Sequence, residues 1–319
     1  GLGTDFLYSV VISEEISRLG LTGIGWGLHT EIVAPYIEHY GSETLKQKYL
    51  PGMVSGEKIG AIAMSEPGAG SDLQGIKTNA VRDGDHYILN GSKTFITNGQ
   101  NADVVIVVAK TDPKAGAKGT SLFIVDGSMA GFERGKNLKK VGMKAQDTSE
   151  LFFDDVKVPA ENLLGEENKG FIYLMQELPQ ERLGIAINGL AMTESAFEHT
   201  LDYVKERKAF GQRVADFQNT QFQLADMRTR LDAARAYVDR CLELHLQGKL
   251  DIPTAAGCKQ WTTDLQVEVI DECLQLHGGY GYMWEYPIAR MFADARVQRI
   301  YGGTNEIMKS IVARALLAE

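Results

Sequence analysis

The hydrophobic period changes twice along the chain, and this order constrains the fold more than any other feature. Up to about residue 57, apolar residues recur every three or four positions, as on one face of a helix. Residues 58–160 form short β-rich runs, and the helical period returns beyond Pro159. We therefore predict an N-terminal helical domain (1–57), a β domain (58–160) and a C-terminal helical domain (161–319).

Asp-Gly and Asn-Gly pairs separate the β-rich runs of the middle region, as in KTNAVRDGDHYILNGSKTFITNG. These pairs are strong hairpin signals, so an antiparallel sheet is expected. In the last region an apolar seam typical of a bundle of long helices runs through Leu224, Met227, Leu231, Ala234, Val238 and Cys241. Further helices are predicted at about 166–205, 252–276, 286–297 and 304–317. The predicted fold class is α+β, with N-terminal helices, a central antiparallel β-sheet domain and a C-terminal four-helix-bundle-type domain.

Composition excludes several classes of protein. The formal net charge is −9 and no basic block appears, which argues against nucleic-acid binding. The three cysteines include no Cys-x-x-Cys pair, so neither a disulfide framework nor a metal site is expected. No apolar stretch is long enough to span a membrane, and no secretory signal is visible. The start without methionine suggests a chain entered partway, with an upstream segment missing.

Two stretches of the β domain suggest a ligand site. AMSEPGAGSD (63–72) is a glycine-rich turn whose backbone amides, with Ser65 and Ser71, suit an anion. KTFITNG (93–99) places Phe95 and Thr97 on one face of a strand, as a planar heterocycle would require. Ordinary turns and strands use the same residues, so each signal is weak alone.

Glycines and aromatics also follow the predicted long helices, in KERKAFGQ (205–212), QLHGGYGYMWEYP (275–287) and IYGGTNEIM (300–308). Taken alone, His277 is more often a structural histidine than a ligand or catalyst. Thr304 is a predicted helix N-cap, with Glu306 in the first turn. In ELPQERL (177–183), Glu181 taken alone is most often a solvated surface charge.

Five stretches in this order, AMSEPGAGSD, GSKTFITNG, ERKAFGQ, QLHGGYGY and IYGGTNEI, closely resemble the acyl-CoA dehydrogenase family of flavoproteins. The resemblance covers essentially the whole chain, although the first two or three helices of the family are absent. It implies FAD as cofactor and oxidation of acyl-CoA thioesters to trans-2-enoyl-CoA. In the family a carboxylate removes the α-proton while the β-hydrogen leaves as hydride to flavin N5.

Motif by motif, the resemblance assigns residues to the two ligands. The flavin side would be Met64, Ser65, Ser71, Phe95, Ile96, Thr97, Thr304 and Glu306. The FAD of a neighbouring subunit would be held by Arg207, Phe210, Gln218, Gln275, Gly278 and Gly279. The substrate would meet Ser71, Arg182, Tyr301, Gly302 and Arg314.

The family's usual catalytic glutamate is missing, because most members read I-Y-E-G-T where this chain has Gly302. The long-chain and isovaleryl branches place the glutamate in a Glu-Arg-Leu context that matches Glu181, and ELPQERL, YMWEYPIA and IYGGTNEIM resemble the long-chain branch most. The resemblance thus makes Glu181 the base. A thioester α-proton is a very weak acid, so its removal needs a desolvated base and donors to the developing enolate oxygen. The backbone amide of Gly302 would be one such donor.

Medium or long straight-chain substrates are expected, with Gly25 and Gly184 suggesting spare volume, although Trp26 could equally close the pocket. Alternatives are a short- or branched-chain dehydrogenase of isovaleryl type, an acyl-CoA oxidase and a non-enzymatic assembly scaffold. The resemblance further implies an electron-transfer flavoprotein as acceptor and a homotetramer. It places a bacterial protein in the cytoplasm and a eukaryotic one in the mitochondrial matrix.

Overall fold

The computed structural model describes residues 2–318, and the chain forms two compact units. The sheet unit comprises Gly23–Lys140 and Lys144–Glu177. The helical unit comprises Thr4–Thr22, Val141–Met143 and the chain from Leu178 onward. The three-domain division at residues 57 and 160 stays a prediction.

Eight α-helices lie within the described residues, and those predicted in the C-terminal half are confirmed to within a few residues. They are α1 (Phe6–Arg18), α2 (Ala34–Tyr40), α3 (Glu43–Ser55), α4 (Gly170–Glu206), α5 (Gln218–Leu246), α6 (Ile252–His277), α7 (Pro287–Ala295) and α8 (Asn305–Leu317). Side-chain caps define several starts: Ser42 accepts from the Leu45 amide at 3.3 Å, and Thr304 accepts from the Ile307 amide at 3.4 Å. Pro179 lies inside α4, where it has no N–H to donate to the preceding turn.

The strands within residues 2–318 form one large sheet and a two-stranded ribbon. They are β1 (Gly60–Ala63), β2 (Asn79–Asp83), β3 (His86–Thr97), β4 (Val104–Lys110), β5 (Thr120–Asp126), β6 (Phe132–Asn137), β7 (Thr148–Pro159), β8 (Leu163–Leu164), β9 (Lys208–Ala209) and β10 (Gln212–Arg213). The order in the large sheet is β6-β7-β3-β2-β4-β5-β8, and β1 pairs with β4.

The sheet is largely antiparallel, as predicted, but two of its pairings are parallel, which corrects the prediction at those strands. Strand β1 runs parallel to β4, with Gly60 opposite Val104, and β2 meets the end of β4 in the same sense. Its other ladders are antiparallel. Neither parallel pair is joined by a hairpin, and residue patterning carries no signal about which distant strands will pair.

Three Asp-Gly or Asn-Gly pairs, at residues 83–84, 90–91 and 98–99, are predicted hairpin signals, and only the first of them marks a hairpin. Gly84 turns the chain between β2 and β3, with Asp83 opposite His86. Gly91 instead lies inside β3 at a shift of register, where a Cβ atom would stand 2.4 Å from the Thr78 hydroxyl. Asn98 follows β3 in a turn that leads to β4, which does not pair with β3.

Each unit has its own hydrophobic core. In the sheet unit one cluster, around Tyr87 and Phe123, packs on the sheet, and another joins it to α2 and α3 through Tyr36 and Tyr49. The helical core combines residues of α1, α4, α5, α6 and α7, including the predicted seam from Met227 to Cys241. The α+β fold class with a C-terminal helical domain is confirmed.

No helix among residues 2–318 combines the length and apolar character that a membrane span requires. Within the same residues, no cluster of three or more metal-binding side chains is found. The three cysteines are buried free thiols.

Candidate active site

The glycine-rich turn of the sheet unit lies in a loop spanning residues 64–78, which we call the 64–78 loop. Met64 and Ser65 are partly buried at its start, and Ser71 is exposed. The backbone groups of Glu66 and Ala69 exchange hydrogen bonds of 2.9 and 3.1 Å, which tightens the turn between them. This arrangement leaves Ser71 accessible to a ligand.

A buried ion pair that sequence reasoning missed fixes the 64–78 loop. Lys93 of β3 is 1 % exposed, and its Nζ donates to the Met64 carbonyl and to the Glu66 carboxylate, each at 2.9 Å. The same carboxylate accepts from the amides of Lys77 and Thr78 at 2.7 and 3.0 Å. Burial lowers the pKa of Lys93 to about 8, although Glu66 opposes that shift. Burial alone would raise the pKa of Glu66, but Lys93 and the hydrogen bonds outweigh it and lower that pKa.

The end of β3 presents an aromatic ring to its surroundings. Phe95 is 69 % exposed and has a φ of +62°, at a register shift between Lys93 and Ile96. A non-glycine residue in the left-handed region is uncommon and often marks a functional site. Ile96 is buried in the core, so only its backbone can face a ligand, while Thr97 is partly buried. Within the sheet unit, Phe95 therefore supplies an exposed aromatic ring suited to stacking.

Glu181 and Arg182 are both buried on α4, at 8 % and 4 % exposure. The Arg182 Nε lies 3.5 Å from the carbonyl oxygen of Gly302. Burial lowers the pKa of Arg182, and the negative charge of Glu181 opposes that shift. Glu181 is thus a desolvated carboxylate with a neighbouring cation, rather than a solvated surface charge.

Residues 301–305, the 301–305 loop, connect to the start of α8. Gly302 and Gly303 have φ values of +65° and +93°, a conformation that glycine adopts without steric cost. A Cβ atom on Gly302 would lie 2.4 Å from Cδ1 of Ile185. Ile185 is one helical turn beyond Glu181, so both side chains lie on the same face of α4. The face of α4 that carries Glu181 therefore packs against the 301–305 loop.

Lys259 of α6 anchors the 301–305 loop and was not among the residues predicted from the sequence. Its side chain is fully buried, and Nζ donates to the Gly303 carbonyl at 2.8 Å and to Asn305 Oδ1 at 2.9 Å. Burial, followed by the charge of Arg182, lowers the pKa of Lys259 to about 8. The other charges acting on it are those of Asp264, Glu306 and Arg299.

The remaining predicted residues at the C-terminal helix are spread along it. Tyr301 is 37 % exposed in the 301–305 loop, Thr304 caps α8, and Glu306 is exposed in the first turn. Arg314 is exposed in the last turn, about 15 Å along the helix from Thr304 by the usual helical rise. The structure therefore does not bring Arg314 to the loop.

A cavity of about 530 Å³ in the helical unit brings together four of the predicted cofactor residues, Arg207, Gln275, Gly278 and Gly279. Neither glycine would place a Cβ atom within 4 Å of another residue, so the backbone there is open to a ligand. The guanidinium and amide side chains of Arg207 and Gln275 suit a phosphate-containing ligand. These residues fit FAD.

Phe210 and Gln218 do not line this cavity. Phe210 is 96 % exposed, with a φ of +52°, in the turn between β9 and β10, a ribbon that sequence patterning missed. Gln218 is exposed at the start of α5. His277, buried, bonds the Cys273 carbonyl at 2.8 Å and stacks on Tyr203, which is the structural role that its sequence context favoured.

The structure explains the glycine at residue 25 differently from the sequence, which suggested that its small size leaves room for an acyl tail. Its φ is +65°, and a Cβ atom would stand 2.5 Å from the Asn98 side chain. The glycine is therefore required by a close approach within the sheet unit. Trp26 beside it is partly buried.

Comparison with known proteins decides the family. Models of the acyl-CoA dehydrogenase N-terminal, middle and C-terminal domains match residues 1–57, 61–156 and 168–317. The chain belongs to the acyl-CoA dehydrogenase family. Its predicted resemblance to that family is confirmed.

The long-chain branch of the family is also supported. The mouse mitochondrial long-chain specific acyl-CoA dehydrogenase is 56 % identical over 321 residues, covering 100 % of this chain and 75 % of that protein. An acyl-CoA dehydrogenase structure from Geobacillus kaustophilus superposes with a TM-score of 0.97 at 55 % identity, over 99 % of this chain and 84 % of that one.

An acyl-CoA dehydrogenase from Bacillus anthracis, solved with FAD, superposes with a TM-score of 0.93 at 36 % identity, over 100 % of this chain and 59 % of that one. The predictions of an oxidoreductase with FAD as cofactor, acting as an acyl-CoA dehydrogenase in fatty-acid metabolism, are confirmed.

Proposed function

We propose that this acyl-CoA dehydrogenase uses Glu181 as the base that removes the α-proton of an acyl-CoA thioester. The observation that carries the proposal is the packing around Gly302. Where most family members have a glutamate side chain, this chain has no Cβ atom, and Ile185 fills the adjoining space. Glu181 lies one turn before Ile185 on the same face of α4, so its carboxylate would take the place of the missing one.

Two groups of the helical unit have separate roles in the removal of the α-proton. Glu181, buried at 8 % exposure, takes the α-proton. The backbone N–H of Gly302 donates to the thioester oxygen as negative charge develops there. The Arg182 Nε lies 3.5 Å from the Gly302 carbonyl oxygen, which belongs to the peptide group that follows this amide. FAD, when bound, supplies the acceptor for the β-hydride.

The family resemblance assigns residues of each unit to the binding of FAD. In the sheet unit, Phe95 and Thr97 would pack against the ring system, and Met64, Ser65 and Ser71 would also contact the cofactor. In the helical unit, Thr304 and Glu306 are the residues that the resemblance assigns to the flavin. The cavity residues Arg207, Gln275, Gly278 and Gly279, with Phe210 and Gln218, would hold the cofactor of a neighbouring subunit. Such sharing would require at least a dimer, and the family resemblance favours a homotetramer.

Straight long-chain acyl-CoA thioesters are the proposed substrates, and the 56 % identity to a long-chain enzyme supports this choice. Ser71, Arg182, Tyr301 and Gly302 would contact the substrate, and Arg314 only a part of it remote from the reacting carbons. An electron-transfer flavoprotein would accept the electrons. The mitochondrial relative supports the matrix as the site of action in a eukaryote, and the cytoplasm would be the counterpart in a bacterium.

Replacing Glu181 with glutamine tests the base. Anaerobic reduction of the enzyme by a long-chain acyl-CoA should slow at least about 100-fold, the low end of what a positioned base contributes, while FAD stays bound. Glu177→Gln is the matched control, because Glu177 is also buried on α4, at 7 % exposure, but binds the Tyr40 hydroxyl at 2.8 Å. Near-normal reduction of Glu181→Gln would refute the assignment.

Moving the base back to residue 302 provides a second test. Gly302→Glu in the Glu181→Gln background has to displace Cδ1 of Ile185, so we expect rescue to be stronger when Ile185→Ala is added. The recovered rate of reduction is the measurement. Straight and branched acyl-CoA thioesters, compared in the same titration on the unmodified enzyme, would separate the long-chain from the isovaleryl type of specificity.

A further inference from the structure

Lys259 places a cation against the 301–305 loop, which contains the proposed oxyanion donor, the Gly302 amide. Its Nζ is fully buried and contacts two neutral acceptors, the Gly303 carbonyl and the Asn305 amide oxygen. A buried charge is costly unless it is compensated, so a lysine held by neutral groups needs a reason to be there. Leucine or methionine would fill the same space without that cost.

The two carbonyls of the 301–305 loop each face a cation. Arg182 approaches the Gly302 carbonyl at 3.5 Å, and Lys259 binds the Gly303 carbonyl at 2.8 Å. Both glycines have left-handed φ values, and a glycine without restraining contacts changes readily to other backbone conformations. Fixing both carbonyls restricts the two peptide planes that follow the Gly302 amide, and so restricts the direction of its N–H.

Asn305 connects Lys259 to the surrounding helices. Its Oδ1 accepts from Lys259, while its Nδ2 donates to Thr263 Oγ1 at 3.0 Å and to Asp264 Oδ1 at 2.9 Å. Asp264 in turn pairs with Arg299 at 2.6 Å. The ammonium group is therefore held on a rigid helix by a connected polar network, as preorganised electrostatic stabilisation requires.

We propose that Lys259 is a positioning residue for the oxyanion site: its ammonium group fixes the Gly303 carbonyl, orients the Gly302 amide and adds positive potential where the enolate charge develops. This inference rests on the proposed function, in which that amide binds the thioester oxygen. Burial leaves the lysine with a lowered pKa of about 8, so it remains mostly charged at pH 7.

The test uses the FAD-loaded enzyme and a 3-thia-acyl-CoA, a substrate analogue that can lose its α-proton but cannot be oxidised. Two properties are measured at pH 7: the fraction of bound analogue that is deprotonated, from its long-wavelength absorbance, and the infrared stretch of its thioester carbonyl. Lys259→Met should reduce the ratio of deprotonated to protonated analogue at least fivefold. It should also shift the carbonyl stretch toward the free value, with analogue affinity changed less than threefold.

The matched control is Lys309→Met, which removes a lysine that reaches the same network from the surface, 3.6 Å from Asp264. It should leave both readouts unchanged, and Lys259→Arg should recover part of the deprotonated fraction. If Lys259→Met yields too little folded enzyme, Lys259→Gln, which keeps a donor but no charge, should show the same two losses. Unchanged readouts in the folded Lys259 variant, or an equal loss in Lys309→Met, would overturn the proposal.

Failure of the base assignment gives a different pattern. Glu181→Gln should abolish deprotonation of the analogue but keep the shifted carbonyl stretch, because the donors to the oxygen remain. Retained deprotonation in Glu181→Gln would contradict Glu181 as the base while leaving the Lys259 proposal intact. Loss of the carbonyl shift in Lys259→Met, together with a retained shift in Glu181→Gln, identifies the positioning role of Lys259.

Discussion

Two buried lysines hold two different loops of this molecule, but their partners differ in charge. Lys93 fixes the 64–78 loop through an ion pair with Glu66, whose remaining lone pairs accept two backbone amides. Lys259 fixes the 301–305 loop through a backbone carbonyl and a side-chain amide. Removing the first lysine therefore leaves a buried anion behind, whereas removing the second leaves only neutral acceptors.

The difference indicates two kinds of design. An ion pair in which both charged groups are fully hydrogen-bonded suits a loop that keeps one conformation with or without a ligand. A cation with neutral partners keeps its field available to a negative charge that arises nearby, because no carboxylate hydrogen-bonded to its Nζ cancels it. The predictions below separate these two cases by measuring stability.

The largest expected effect is that of Lys93→Met. It should lower the free energy of unfolding by about 3–5 kcal/mol, because Glu66 is left buried and unpaired. Denaturant unfolding is the measurement. The double variant Glu66→Gln with Lys93→Met should recover much of the loss, and Lys259→Met should cost only about 1–3 kcal/mol because it strands no charge. Equal losses for the two lysines would remove the distinction.

A smaller effect is expected from pH. The pKa of Lys259 lies at about 8 rather than 10.5, so between these values the unfolded chain holds more protons at this site than the folded protein. The free energy of unfolding should therefore rise with pH, by up to about 1.4 kcal/mol per pH unit and about 3 kcal/mol in all.

Comparison with Lys259→Met isolates this contribution. The difference in unfolding free energy between the wild type and the variant should shift in favour of the wild type from pH 8 to pH 10.5. Below pH 8 the cost of burying the charge is fully present, so the difference should be flat there. A difference that stays constant across the whole range would show that Lys259 has an ordinary pKa.

The smallest effect is expected at the cap of α8. Thr304→Ala removes the hydroxyl that accepts from the Ile307 amide and should cost about 1 kcal/mol of stability. Because Lys259 still holds Gly303, the carbonyl stretch of a bound thioester should change little. A large shift in that stretch would mean that the cap, rather than the lysine, sets the direction of the Gly302 amide.

Helix positions and loop chemistry could be predicted because they depend on local patterns. The seam through Met227 and Val238 is buried, and Thr304 caps its helix as its residue type indicates. The parallel pairing of β1 with β4 could not be predicted, because a strand's residues do not specify a distant partner. The β9–β10 ribbon has only two residues in each strand, too few for a period to appear.

The site shows the same division between local and long-range information. Glu181 could be proposed as the base because the family resemblance connects its Glu-Arg-Leu context with a glycine at residue 302. Lys93 and Lys259 could not be singled out, since lysine is almost never fully buried. The groups that bind their ammonium nitrogens are either far away in the sequence or backbone carbonyls, which every residue has. Only the folded structure shows Asn305, 46 residues from Lys259, at 2.9 Å from its Nζ.

The contact between Ile185 and the empty side of Gly302 has a consequence for how such a site can change over generations. A chain that acquires a glutamate at residue 302 first has to fit it against Ile185 in a left-handed backbone. Under the proposed assignment, Gly302→Glu alone would be strained, and loss of Glu181 alone would remove the base. Under the proposed assignment of the base to Glu181, exchange between the two positions of the glutamate would therefore require changes on both α4 and the 301–305 loop.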